Sequence, residues 1–134
     1  MKPLITAVFA AALATACTLA RAEVAVIVNA SASAAPSQAE VANIFLGKNT
    51  SLKGLDQKGW NTTKERFYSA LTNKNESQLK SYWSGLVFTG KGQPLQSVED
   101  DAAVIARVGS ESNAIGYVDT SAVNDKVKVL FTLP

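Results

Sequence analysis

The sequence predicts a single α/β domain, and three observations predict it. Residues 24–29 form a nearly continuous β-branched run, which is typical of a strand buried on both faces. Residues 37–47 have the pattern of an amphipathic helix, and residues 126–133 alternate as a strand exposed on one face does. About four strands and four helices, interleaved along 134 residues, are enough for one domain and too few for two.

The first half of the chain carries clear helix signals. A capping box of Ser37 and Glu40 predicts the start of the first helix, and Gly47 predicts its end. The apolar face of this helix comprises Val41, Ile44 and Phe45. A short strand is predicted over 52–57 and a second helix over 63–71.

Aromatic residues mark the third helix. Asn75 or Ser77 is expected to cap it, and a glycine-rich loop follows it. Three aromatic side chains in and after this helix are predicted to lie in the core, namely Tyr82, Trp83 and Phe88.

The last third predicts one more helix and two strands. The helix starts within 97–101, where acidic residues suit the helix dipole and indicate a cap and a solvated face, not a metal site. Its predicted apolar stripe comprises Val98, Ala102, Ile105 and Val108, and Gly109 is its predicted terminator. A strand follows over 113–118, in which Gly116 allows close backbone approach. The final strand places on one face Val127, Val129 and Phe131.

The first 22 residues predict a secretory signal that is not part of the domain. Lys2 is followed by an apolar run over 4–19 and by the small-x-small pattern of a cleavage site at 20–22. Removal of residues 1–22 would leave a domain of residues 23–134 in the periplasm. One alternative remains open, because residues 13–17 loosely resemble a lipoprotein cleavage site that would acylate Cys17 and anchor the protein to a membrane.

Composition limits the functions that residues 23–134 can have. Of the 13 basic residues, Lys2 and Arg21 lie in the signal, so 11 basic residues stand against 11 acidic ones and the net charge is zero. A neutral chain without a basic run gives no support to nucleic-acid binding. The chain has no histidine, and its single cysteine lies in the signal, which excludes histidine metal ligands and histidine-based triads. We therefore expect no enzyme activity and no cofactor.

The segment 56–67 carries chemistry beyond what folding requires. Gly59 permits a turn, and Thr62 and Glu65 have the spacing of a capping box that opens a helix. A small oxyanion could bind here. It would contact the unpaired backbone N–H groups of the first turn, the positive end of the helix dipole and the nearby basic side chains. The candidate binding residues are Asn61, Thr62, Thr63, Gln57, Lys58 and Arg66. The alternative is that this turn only caps its helix.

Five segments, in this order, resemble the phosphate-binding-protein-like family, the periplasmic substrate-binding proteins of phosphate ABC transporters. They span almost the whole predicted domain, at 24–29, 44–48, 66–68, 82–92 and 114–118. The Phe-Leu-Gly-Lys and Ile-Gly-Tyr signatures are the most specific of them. Full-length members have two lobes that enclose phosphate, and this chain looks like the second lobe alone. The resemblance therefore implies a single lobe of a type II periplasmic-binding-protein-like fold, a mixed sheet flanked by helices.

The resemblance also implies a place for the ligand. The family's Ser-Gly-Thr phosphate loop aligns with residues 61–63, so Thr63 matches the threonine. Asn61 stands where serine is usual and Thr62 where glycine is usual, which puts side chains where a bare backbone should approach the anion.

Two functions follow as hypotheses. The first is a non-catalytic periplasmic module that binds phosphate or a related oxyanion and serves an ABC permease or a sensor. The second is a structural or interaction protein of the cell envelope that keeps the fold and has lost the ligand. A single lobe covers only one side of an anion, so we expect weak binding unless a second copy, in a homodimer, supplies the missing lobe.

Overall fold

Residues 23–134 are described by a computed structural model, which contains five strands and four α-helices. The predicted signal of residues 1–22 and Cys17 lie outside the described residues. The strands are β1 (Val24–Asn29), β2 (Lys53–Gln57), β3 (Gln96–Val98), β4 (Ala114–Asp119) and β5 (Val127–Leu133). The helices are α1 (Gln38–Phe45), α2 (Thr62–Thr72), α3 (Glu76–Phe88) and α4 (Asp101–Ser110), with a short 3-10 helix over Thr120–Ala122.

The five strands form one mixed sheet in the order β3-β2-β4-β1-β5. β1 runs antiparallel to β4 and β5, whereas β2 runs parallel to β3 and β4. β1 is buried along its whole length, as its unbroken apolar run predicts. Its alternate side chains enter two cores, because successive residues of a strand face opposite sides of the sheet. Val26 packs with α1 and α2 on one side, and Ile27 packs with α4 on the other.

Local signals located α1 and β4 correctly. Ser37 caps α1 and forms the predicted capping box with Glu40. In β4, a Cβ atom on Gly116 would lie 2.5 Å from Cγ1 of Val104 in α4, so only glycine lets this helix pack against the sheet.

The prediction that Val98 belongs to the apolar stripe of α4 was wrong, because a strand precedes this helix. Residues 96–98 pair in parallel with residues 55–57 as β3, so Val98 belongs to the sheet. The helix begins only after Asp100, whose side chain accepts the backbone N–H of Ala103. The buried residues of α4 are Val104, Ile105 and Val108, whereas Ala102 is exposed and Gly109 lies inside the helix.

The predicted alternation of β5 was also wrong. Val26 pairs with Phe131 and Ile27 pairs with Val129, so β5 contains one extra residue at a bulge. The bulge reverses the faces beyond it: Val127 packs in the core beside α4, and Phe131 packs against the opposite core. Val129 is left 40% exposed.

The aromatic residues of α3 divide into two groups. Tyr82 and Trp83 pack against the core, and the Tyr82 hydroxyl donates to the Leu46 carbonyl oxygen over 2.6 Å. Phe88 was predicted to be a core residue, but it is the last residue of α3 and is 92% exposed.

Candidate functional site

Asn61 opens α2, the helix on which the predicted oxyanion seat depends. Its backbone is extended, its side-chain oxygen accepts the Lys64 N–H over 2.8 Å, and its carbonyl accepts the Glu65 N–H over 2.9 Å. The predicted capping box of Thr62 and Glu65 was therefore wrong. Asn61 caps the helix one residue earlier, which makes Lys64 the third helical residue and takes Glu65 out of the box position.

Two backbone donors remain at this helix end. The N–H groups of Thr62 and Thr63 have no acceptor within residues 23–134, as the first residues of a helix have no partner in the preceding turn. Thr62 is exposed and Thr63 is half-buried. Of the three amides of the first helical turn, from Thr62 to Lys64, the Lys64 amide is taken by the cap, so this turn offers two donors and not three.

Lys64 is held by the protein itself. Its Nζ donates to the Gln57 carbonyl over 2.9 Å, lies 3.4 Å from Oδ2 of Asp56 and sits 5.9 Å from the centre of the Trp60 ring. The Lys64 and Asp56 side chains are only 14% and 13% exposed. The positive charge of Lys64 is therefore compensated by a carboxylate in a partly buried pair.

The other two predicted basic residues also lie beside acidic groups. Lys58 forms a 2.8 Å ion pair with Glu99, in which both side chains are largely exposed. Hydrogen bonds from the Ser121 backbone and hydroxyl lower the pKa of the Asp119 carboxyl, and the charge of Arg66 adds a smaller effect in the same direction. Exposed pairs of this kind contribute little to stability, so the Lys58 pair can open at small cost.

Gln57 is buried and joins three elements instead of facing solvent. Its Nε2 donates to Oδ1 of Asp101 over 2.7 Å and to the Tyr117 carbonyl over 3.0 Å. Its Oε1 accepts from Nδ2 of Asn61 over 3.2 Å. Gln57 thus positions the Asn61 cap, and its side-chain polar atoms contact protein groups.

Two tyrosines beside Asp56 were not singled out from the sequence. The Tyr117 hydroxyl donates to Oδ1 of Asp56 and accepts the Gln57 N–H over 3.2 Å. The Tyr68 hydroxyl is buried and has no hydrogen-bond partner within the described chain. Burial, and then the negative charge of Asp56, raise the pKa of both tyrosines well above the usual value. Tyr68 and Tyr117 lie in two of the segments that carry the resemblance, 66–68 and 114–118, but neither segment indicates what the tyrosines contact.

A cleft of about 580 Å³ lies between this network and α3. One side is formed by Asp56, Gly59, Trp60 and Lys64, and the other by Glu76, Leu79, Lys80, Trp83 and Ser84. Residues 61–63 do not line it, so the two available amides lie outside this cleft. Within residues 23–134, no three acidic side chains are grouped so that they could hold a metal ion.

Comparison with known proteins gives matches of structure only. No family model and no curated protein matches this chain. An ABC-type phosphate transport receptor from Vibrio cholerae superposes with a TM-score of 0.63 at 14% identity, covering 81% of this chain and 45% of its own. A protein described as a phosphate ABC transporter substrate-binding protein from Clostridium perfringens, with bound phosphate, gives 0.61 at 18%, covering 81% and 44%.

These matches establish the fold. The chain has a phosphate-binding-protein-like α/β fold, a mixed sheet flanked by helices, which confirms the resemblance and the fold class predicted from the sequence. It spans less than half the length of either receptor. In the part that the structure describes, no helix has the length and apolar character needed to cross a membrane.

Proposed function

We propose that this protein is a non-catalytic, periplasmic oxyanion-binding module, exported by residues 1–22, with phosphate as the first ligand to test. The observation that carries the proposal is the pair of unpartnered N–H groups of Thr62 and Thr63 at the positive end of α2. Backbone donors and a helix dipole favour a small anion at this position, and two hydroxyl groups stand beside them. Both structural neighbours are named as transport proteins, not as enzymes.

Binding at this position is weak for two reasons. Lys64 already neutralises Asp56, so it adds little net positive potential. Lys58, in an exposed pair with Glu99, can turn toward an anion at small cost. Two amides and two hydroxyls replace only part of the hydration shell of phosphate, so we expect a dissociation constant of roughly micromolar to millimolar.

A second wall would strengthen the site. Both structural neighbours are more than twice as long as the matched region, and one of them contains phosphate. The opposing wall in this system would be a second copy of the chain or a partner such as an ABC permease or a sensor. An anion held between two walls exchanges more of its water for donors than one held on an open surface.

One alternative has specific support. Lys58 and Lys64 are ion-paired, and Gln57 is buried in contact with other elements. A domain whose polar groups are satisfied in this way suits a structural or interaction protein of the envelope that has kept the fold and lost the ligand.

Isothermal titration of the purified protein with phosphate, sulfate and a dicarboxylate tests the proposal. The decisive variant is Thr62→Pro, which removes one amide at the first helical position, where proline is well tolerated. Asn61 is extended, as a residue before proline should be. Gln38→Pro makes the same change at the first position of α1 and serves as the matched control.

We expect phosphate binding that Thr62→Pro weakens at least tenfold and that Gln38→Pro leaves unchanged. Absence of heat at millimolar ligand would reject the oxyanion module and favour the envelope protein. Equal effects of the two proline variants would reject the α2 position as the binding site.

A further inference from the structure

The cleft between the Asp56 network and α3 is lined by both tryptophans of the chain. Trp60 belongs to the side formed by the end of β2 and the start of α2, and Trp83 belongs to the side formed by α3. The cleft volume of about 580 Å³ lies within the range of about 300–1,000 Å³ that is usual for small-molecule sites. Such sites place aromatic side chains beside a few polar groups. The cleft therefore has the size and the aromatic lining of a small-molecule site.

Both indole rings are held in place by other residues. Trp60 stacks on the buried ring of Tyr68, with 6.4 Å between centroids and 20° between planes. Trp83 packs edge-on against Tyr82, with 5.7 Å between centroids. A Cβ atom on Gly47 would lie 2.9 Å from Cη2 of Trp83, so this glycine makes room for the ring. Aromatic side chains that are already fixed lose little freedom when a ligand binds, and this favours binding.

Each side of the cleft also carries one ion pair. Nζ of Lys64 lies 3.4 Å from Oδ2 of Asp56, and Nζ of Lys80 lies 3.4 Å from Oε2 of Glu76. Of the described residues that line the cleft, these four are the only charged ones, and their charges cancel. A charged ligand would have to open one of the pairs. The cleft therefore favours a neutral ligand over an anion or a cation.

Intact ion pairs are well suited to hydroxyl groups. An ammonium group has three N–H donors and an ionised carboxylate has about four acceptor sites, so each pair can form further hydrogen bonds without separating. A hydroxyl group both donates and accepts. One hydroxyl of a ligand can donate to the carboxylate while a neighbouring hydroxyl accepts from the ammonium group. A ligand with several adjacent hydroxyl groups therefore gains contacts here that an ion or an apolar molecule does not gain.

We propose that this cleft binds a neutral carbohydrate, with the C–H face of a sugar ring against the indole rings and its hydroxyl groups on the two ion pairs. A sugar ring combines an apolar face with a hydroxylated edge, and the cleft offers indoles and ion pairs on the same two sides. A planar aromatic ligand would use the indoles and leave the ion pairs without contacts. The inference goes beyond anion binding and does not rest on it, because residues 61–63 do not line the cleft.

The exposure of the cleft limits its affinity. The Lys80 and Glu76 side chains lie on the surface of α3 and are 75% and 45% exposed. Polar contacts at exposed positions replace contacts with water, so each adds little net free energy. We expect a dissociation constant on the order of millimolar for a disaccharide.

Tryptophan fluorescence tests the proposal, because Trp60 and Trp83 are the only tryptophans in the sequence and both line the cleft. The full purified protein, free of phosphate, is titrated with maltose and with cellobiose to concentrations well above millimolar. N-acetyltryptophanamide in the same solutions measures the effect of each sugar on a free indole. We expect a saturable change in the emission of the protein with at least one disaccharide and no saturable change with the free indole.

Four variants locate the binding. Lys80→Met removes a hydrogen-bond donor from the cleft and should weaken binding about threefold or more. Lys91→Met is the matched control and should leave binding unchanged, because Lys91 is also exposed, follows the same helix and does not line the cleft. Trp60→Phe and Trp83→Phe each leave one tryptophan as the reporter, and each should weaken binding because the stacking surface is smaller.

The outcomes separate this site from its alternatives. Absence of a saturable response to both disaccharides would overturn the proposal, as would a response that Lys80→Met and both tryptophan variants leave unchanged. A response to choline or to caffeine in place of the sugars would assign the cleft to a cation or to a planar aromatic ligand and would also overturn it. If a tryptophan variant loses the fold by circular dichroism, the comparison of Lys80→Met with Lys91→Met still decides, because both lysines are exposed.

Discussion

The carboxyl end of β2 and the outer surface of α3 differ in how their side chains are accommodated. At the end of β2, Asp56 and Gln57 form hydrogen bonds with Tyr117, Asn61 and neighbouring groups of the same chain. On α3, Leu79 is the only buried residue, and the apolar groups of the last turn face solvent.

The difference lies in which groups find their contacts within the chain. Buried polar groups must find hydrogen bonds, and those beside α2 have found most of them inside the protein. The apolar side chains at the end of α3 remain in contact with water, and burying them would be favourable. An anion at α2 therefore has few donors left, whereas burial of these side chains of α3 requires no polar group to be released.

Substitution of two phenylalanines by alanine should give the largest difference between these regions. Phe67 is fully buried, and its ring stacks on Tyr117 with 4.1 Å between centroids. We expect Phe67→Ala to lower the free energy of unfolding by about 3–5 kcal/mol, because it leaves a cavity among aromatic rings. Phe88→Ala should change it by less than about 0.5 kcal/mol, since its ring has no core contacts to lose.

Urea denaturation at low protein concentration measures both values. A loss of several kcal/mol from Phe88→Ala would contradict the exposed position of this ring. It would mean that the end of α3 packs against the domain in solution.

Alkaline titration should show the next effect, because the three tyrosines of the chain lie in different environments. Burial and the charge of Asp56 raise the pKa of Tyr68 and Tyr117 in the folded state above the unfolded value of about 10. A raised tyrosine pKa stabilises the fold below pH 10, where the neutral form is present in both states. Above about pH 10 each of these tyrosines should remove about 1.4 kcal/mol of stability per pH unit.

Phenolate absorbance and circular dichroism, recorded together, test this pH dependence. Tyr82 is partly exposed and should ionise first, whereas the other two should ionise only as the protein unfolds. The variant Tyr82→Phe should remove the first step and leave the cooperative one. Independent ionisation of all three tyrosines in a protein that stays folded would show that Asp56 and its neighbours are open to water.

The sequence predicted the parts of the fold that are determined locally. The unbroken apolar run of β1 and the capping box of α1 are local patterns, so each predicts its element from neighbouring residues alone. Strand β3 could not be predicted, because Gln96 and Ser97 are polar and form a strand only by pairing with β2. The bulge in β5 likewise depends on its register with β1.

The candidate site was predicted less well than the fold, because its contacts are distant in sequence. Asn61 and Lys64 could be expected to form a helix end, since the cap is a local pattern. Gln57 meets Asp101 across 44 positions and Tyr117 across 60. No spacing rule brings such residues together, so the sequence suggested that Gln57 was available to a ligand when it is bound to the protein.

Removal of the two tyrosine hydroxyls beside Asp56, one at a time, should produce the smallest effects. The comparison is between a hydroxyl that donates to the carboxylate and one that has no partner within residues 23–134. Tyr117→Phe takes away a donor to a carboxylate, and we expect a loss of about 1–3 kcal/mol in the free energy of unfolding. Tyr68→Phe removes a buried hydroxyl that has no partner within residues 23–134, so it should be neutral or stabilising by up to about 1 kcal/mol. Urea denaturation near pH 7 measures both. If Tyr68→Phe costs as much as Tyr117→Phe, then the Tyr68 hydroxyl also donates to Asp56 in solution, and the carboxylate is held by two tyrosines.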